Sequence, residues 1–115
     1  MLKEYCVHII TADTFGSVNK EVADFDVKVK VLKSKNHTKQ KADYIKKLGK
    51  KSCVAIGNGN NDALMLKNAG LGIAIIGDEA CATPTLMQSD LVCTSIADAL
   101  DLFINTKRLV ATLRR

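Results

Sequence analysis

The chain has 115 residues, 47% of them hydrophobic and 25% charged, with a formal net charge of +5. That is enough chain for one globular core, which buries roughly two-thirds of the surface the unfolded chain exposes, and the balance excludes intrinsic disorder and fibrous repeats. No apolar run approaches the ~20 residues that span a bilayer, and Met1-Leu2-Lys3-Glu4 opens no signal-peptide core. A cytoplasmic protein with no membrane partner is expected, as a single domain over residues 1–115.

In chain order, Tyr5 to Ile10 predicts a strand ending in the polar turn Thr11-Ala12-Asp13-Thr14. Residues from about Gly16 to Ala23 predict a short helix, with Val18 and Val22 four apart, and Val27 to Leu32 a second strand. After Ser34-Lys35-Asn36-His37-Thr38 a helix is expected to about Lys47, with the Lys41 stem, Ile45 and Leu48 inward and Gly49 as its stop. Ser52 to Ile56 predicts a third strand, running into Gly57-Asn58-Gly59-Asn60-Asn61-Asp62. A helix from Asp62 to Asn68 follows, carrying Leu64, Met65 and Ala69 and closed by Gly70. Leu71 to Ile76 reads as a fully apolar strand, Ala80 to Met87 as a short helix with Pro84 in its first turn, and Leu91 to Cys93 as a last strand. Ser95-Ile96-Ala97-Asp98 is a capping box opening a helix with Ile96, Leu100, Phe103 and Ile104 on one face, and a basic tail follows. Strands alternating with helices through short loops define an α/β fold with a parallel sheet.

Up to Lys51 there are twelve lysines and six acids, and beyond it five basic and six acidic residues. The excess positive charge therefore lies in the first half. It suits a small phosphorylated molecule; nucleic acid is the less favoured partner, because the basic stretches lack interleaved aromatics and arginines. Cys6, Cys53, Cys81 and Cys93 lie far apart with no C-x-x-C pair. They read as free thiols of a reduced compartment rather than as a zinc site with His8 or His37.

Ligands of an open parallel sheet bind beyond the carboxyl ends of its strands. Three polar clusters fall there: Thr11 to Asp13, Lys39 to Lys41, and Gly57 to Asp62. The last is no dinucleotide fingerprint, because Asp62 stands where a glycine must allow close helix approach, and no P-loop, because no Lys-Ser or Lys-Thr pair follows. Its asparagines and aspartate suit a hard cation such as Mg²⁺. On the residues alone, a glycine-rich turn with Asn caps is the alternative. Lys41 could be a snorkelling helix lysine, Thr11 an ordinary strand-end residue, and Asp13 a turn cap.

The run Ala55-Ile56-Gly57-Asn58-Gly59-Asn60-Asn61-Asp62-Ala63-Leu64-Met65-Leu66, continued by Ala69 to Ile75, resembles the G-D-G-x-N-D signature of the haloacid dehalogenase (HAD) superfamily. It is most similar to the version in P-type ATPase phosphorylation domains and their soluble relatives. Thr11-Ala12-Asp13 resembles the T-G-D of those ATPases, and Lys41 stands where their phosphate-site lysine precedes the V-x-x-L of a helix, here Ile45 and Leu48.

The resemblance implies a three-layer, HAD-like Rossmannoid fold without a cap domain, and an Mg²⁺-dependent phosphohydrolase. Phosphate would be met by Thr11, Ala12, Lys41, Gly57 and Asn58, with Thr11 and Lys41 as the catalytic groups and Lys39 as the fallback lysine. Asp62, with Asn58 and Asn61, would take the metal. Two departures stand out. Asn58 replaces the family's first aspartate, so the loop brings one carboxylate instead of two. The chain also has no D-x-[DT]-G-T nucleophile motif; its D-x-D, Asp24-Phe25-Asp26, precedes a strand and reads as a loop. The family's first, central strand is thus expected to be missing. The strands of Tyr5–Ile10 and Ser52–Ile56 are then expected to pair directly, or the gap to be filled by self-association, with this chain inactive alone. A non-catalytic phosphate- or Mg²⁺-binding regulatory module and a basic nucleic-acid-binding domain are the competing readings.

Overall fold

A computed structural model describes residues 6–11, 28–104 and 106–113. The chain falls into two compact units, Met1–His37 and Thr38–Arg115. The expected helix near Gly16–Ala23, and Ala12, Asp13 and Asp24-Phe25-Asp26, lie outside the described residues.

In the first unit, β1 (His8–Thr11) and β2 (Lys28–Val31) pair in parallel, His8 opposite Lys28 and Thr11 opposite Val31. The ladder is extended by Lys28 N–H donating to Val7 O at 3.0 Å. Alternation of lysine with valine leaves Lys28 and Lys30 exposed while Val29 is half-buried. His37 Nε2 lies 2.8 Å from Lys33 O, so this nitrogen carries the proton, since a carbonyl can only accept.

The second unit contains α1 (from its second residue; His37–Leu48), β3 (Val54–Gly57), α2 (Ala63–Asn68), β4 (Leu71–Ile75), α3 (Thr83–Gln88), β5 (Leu91–Cys93), α4 (Ile96–Ile104) and α5 (Thr106–Leu113). Its three strands form one parallel sheet in the order β3-β4-β5, with Gly57 opposite Ala74 and Ile75 opposite Cys93. β4 is central, and Gly72, Ile73 and Ala74 are buried, which is why this strand is apolar on both faces instead of alternating. Ile73, Leu91, Ala99 and Leu102 form the core cluster, with Ile56, Leu71, Ile75, Cys93 and Phe103 packed around it. Asp90 fixes the entry to β5: its carboxylate accepts Gly72 N–H at 2.8 Å and its own N–H donates to Gly72 O at 2.7 Å.

The α/β class and the parallel pairing agree with expectation, with strand and helix ends shifted by one to three residues. The described strands form a pair within the first unit and a triplet within the second. Several expected buried positions are also rotated. In α1 the buried residues are Ala42 and Ile45, while Leu48 is exposed; in α2 they are Met65 and Leu66 rather than Leu64. In α4 Ala99 and Leu102 face the core and Ile96 is exposed. The helices α2 and α4 carry more apolar residues than one contact stripe can take, so the spacing alone admits two neighbouring stripes, whereas Leu48 is exposed as the last residue of α1. The expected basic tail is a helix, α5, from Thr106 to Leu113. The helix start at Ser95 is as expected, with Asp98 N–H donating to Ser95 Oγ at 3.0 Å, although the Asp98 carboxylate accepts from Thr94 Oγ1. Among the described residues, no helix is long and apolar enough to cross a membrane.

Candidate functional site

Because β3 and β4 run in parallel, the turns that follow them leave the same edge of the sheet. The first begins at Gly57 and winds through the single 3-10 turn Asn60–Asp62 into α2, with Asp62 N–H donating to Gly59 O at 3.0 Å. That winding folds the Asp62 side chain back over the turn it closes. Asp62 Oδ2 accepts the Asn58 N–H at 3.2 Å and the Gly59 N–H at 3.0 Å. Gly57 has to be glycine for this to happen, since a Cβ there would stand 2.5 Å from the Asp62 carboxyl carbon.

The other carboxylate oxygen meets Lys41. Burial of Ala42 and Ile45 fixes how α1 is turned, and Lys41, on the same side as Ile45, reaches the turn. Its Nζ donates to Asp62 Oδ1 at 2.7 Å and to Asn61 Oδ1 at 2.8 Å. Both charged side chains are largely withdrawn from water, 13% exposed for Lys41 and 9% for Asp62. A buried carboxylate is tolerated only when paired and hydrogen-bonded, and here one cation and two amides do both. Lys39 is exposed on the same helix.

The turn is held from behind by the segment that leads into α3. Ala82 N–H donates to Asn58 O at 2.8 Å, Asn58 Nδ2 donates to Ala80 O at 3.2 Å, and Thr85 Oγ1 donates to Gly59 O. Ala80 takes a left-handed backbone, φ 69°, an uncommon conformation for a residue with a side chain. Sequence reasoning passed over this segment. Its one available signal was a threonine inside a short helix, where apolar spacing leads one to expect an aliphatic residue.

Lys41, Asn58, Gly57, Asn61 and Asp62 are thus brought together at the end of β3, with Asn58 bonded away toward Ala80. Thr11 ends β1 in the first unit. Ammonium, backbone amides and a carboxylate in one place can meet an anionic group and a hard cation. The oxygens of Asp62 and Asn61 are of the kind Mg²⁺ accepts, and both accept from Lys41 in this structure. No cluster of three or more His, Cys, Asp or Glu side chains is found among the described residues. The four cysteines are free thiols; burial pushes the Cys53 thiol above its ordinary value, and exposed Cys6 places its Sγ 3.2 Å from His8 Nε2.

Residues 10–80, more than half the chain, match the sequence pattern of haloacid dehalogenase-like hydrolases, and the chain belongs to that family. Members of the superfamily generally use Mg²⁺. Among relatives, an uncharacterized protein of Methanocaldococcus jannaschii is 58% identical over 64 residues, which make up 56% of this chain and 69% of that protein.

Proposed function

We propose that this chain is the phosphoryl-binding part of a HAD-like phosphohydrolase of the soluble, P-type-ATPase-like kind, acting on a small phosphorylated molecule. The observation that supports it is the joint engagement of Asn61 and Asp62 by Lys41. Phosphoryl transfer depends mainly on positioning and on neutralising the equatorial oxygens. Lys41 is the group that would pass from the turn to those oxygens, with Gly57 and Asn58 beside it; Thr11 and Ala12 are phosphate-site candidates from the sequence resemblance alone. The Lys41–Asp62 pair is then the resting form of the site. Asp62, with Asn61 and Asn58, would hold Mg²⁺, whose charge offsets that of a bound phosphate. Without a D-x-[DT]-G-T aspartate, the chain binds and does not turn over alone.

Orthovanadate titration followed by thermal unfolding, with and without Mg²⁺, tests this reading. Stabilisation of the wild type, lost in Lys41→Ala and kept in Lys39→Ala, is the expected result; no stabilisation of the wild type, or the reverse ranking of the lysines, overturns it. Hydrolysis of an aryl phosphate by this chain alone would overturn the assignment of inactivity. The regulatory-module reading differs only in what the bound phosphate is for. Binding without turnover, even after an aspartate-bearing D-x-x-G-T peptide is supplied, would favour it.

A further inference from the structure

Three bonds tie the Gly57–Asp62 turn to the segment leading into α3, whose residues lie outside every motif in the sequence. Of the three, the one from Thr85 carries the most information. Thr85 is 0% exposed, sits inside α3, and lies beyond the stretch that matches the family. A β-branched hydroxyl residue is a modest helix former, and valine would fill the same volume with no polar atom to satisfy. Its hydroxyl reaches Gly59 O, the same oxygen that accepts Asp62 N–H. One carbonyl oxygen, using both lone pairs, therefore ties α3 to the backbone from which the Asp62 side chain springs.

We infer that Thr85 is a positioning residue for Asp62. It fixes the Gly59 carbonyl, and so sets where the Asp62 side chain starts. The carboxylate can then take the Asn58 and Gly59 amides on one oxygen and present the other to Lys41. Gly59 has no side chain of its own to restrain this peptide, so beyond its bonds within the turn to Asp62 the added restraint comes from across the fold. The Asn58 contacts to Ala80 and Ala82 hold the preceding peptide and leave the Gly59 carbonyl to Thr85.

The positioning of Asp62 stands on geometry alone; its importance for phosphate rests on the function proposed above. Two readouts separate them, in wild type, Thr85→Val and Thr85→Ser. In amide hydrogen exchange, Thr85→Val is expected to speed the Asn58 and Gly59 amides by about tenfold, the size of one net hydrogen bond, with Ile73 and Ala74 unchanged. Thr85→Ser, which keeps the donor, returns both to near the wild-type rate. The dissociation constant for orthovanadate is expected to rise by about tenfold in Thr85→Val and to recover in Thr85→Ser. Unchanged exchange at Asn58 and Gly59, or acceleration shared equally with Ile73, overturns the positioning role. Altered exchange with unaltered vanadate affinity overturns its relevance to the ligand. A wild type that does not bind vanadate overturns the proposed function, and the exchange experiment still decides the role of Thr85. Should the valine variant fail to fold, Thr85→Cys, similar in size to serine but a poor donor, takes its place in both measurements.

Discussion

Two turns leave the same edge of the three-stranded sheet, and they treat their acids in opposite ways. Gly57 to Asp62 buries its one carboxylate under two backbone amides and a lysine. Gly77 to Ala80, closed by Ala80 N–H to Gly77 O at 3.2 Å, leaves Asp78 and Glu79 exposed. The glycines differ in the same sense. A Cβ at Gly57 would run into Asp62 at 2.5 Å, whereas at Gly77 the nearest atom, Thr94 O, is 3.6 Å away. The second turn has more acid and no centre. Of these two acidic turns, only the one whose backbone winds donors onto its carboxylate buries it.

The sharpest way to break this contrast is Gly57→Ala. The added methyl must displace the Asp62 carboxylate, losing its charge-assisted bonds on top of the overpacking, for a loss of about 4 kcal/mol. Urea unfolding would measure it, and a loss below about 1 kcal/mol would mean that the turn can open without consequence. Lys41→Met comes next. It keeps the stem and removes the charge, leaving Asp62 buried with amides alone, and should cost about 3 kcal/mol, while Lys41→Arg recovers only part because a guanidinium fork does not fit a point contact. Gly77→Ala should shift the urea midpoint by less than about 0.5 kcal/mol in equivalent stability; a larger effect would erase the distinction between the turns.

The smallest effect belongs to Cys53. Its thiol is held above the ordinary value by burial, so the folded state keeps a proton that the unfolded state loses. That contribution is fully present below the unfolded thiol value of about 8.5 and is lost as pH rises through the folded one. Cys53→Ser should therefore flatten the alkaline decline of the melting temperature slightly. In thiol labelling at pH 8, exposed Cys6 should react ahead of Cys53.

Much of this was written in the sequence. β4 is legible because Leu71-Gly72-Ile73-Ala74-Ile75 is too apolar to face water on either side, and Gly57–Asp62 because glycines, amides and an acid seldom crowd a strand end without cause. What the residues could not say was which neighbour each would meet. Leu48, Leu64 and Ile96 are as apolar as the residues buried beside them, and only packing chooses the stripe. The helix Thr106–Leu113 was obscured by the charges on its flank. Thr85 was invisible because its partner lies 26 residues earlier, and no local rule links a helix hydroxyl to a distant carbonyl.

The lysine that sits on Asp62 also has a bearing on selectivity. With its acid already neutralised by a resident cation, this corner of the protein keeps its shape with no guest, and anything that arrives must first draw the ammonium off a carboxylate 2.7 Å away. A doubly charged anion attracts the ammonium more strongly than chloride or nitrate does. If the function proposed above holds, parallel titrations with chloride and phosphate, followed at the Lys41 side chain by NMR, should see only the phosphate dislodge it.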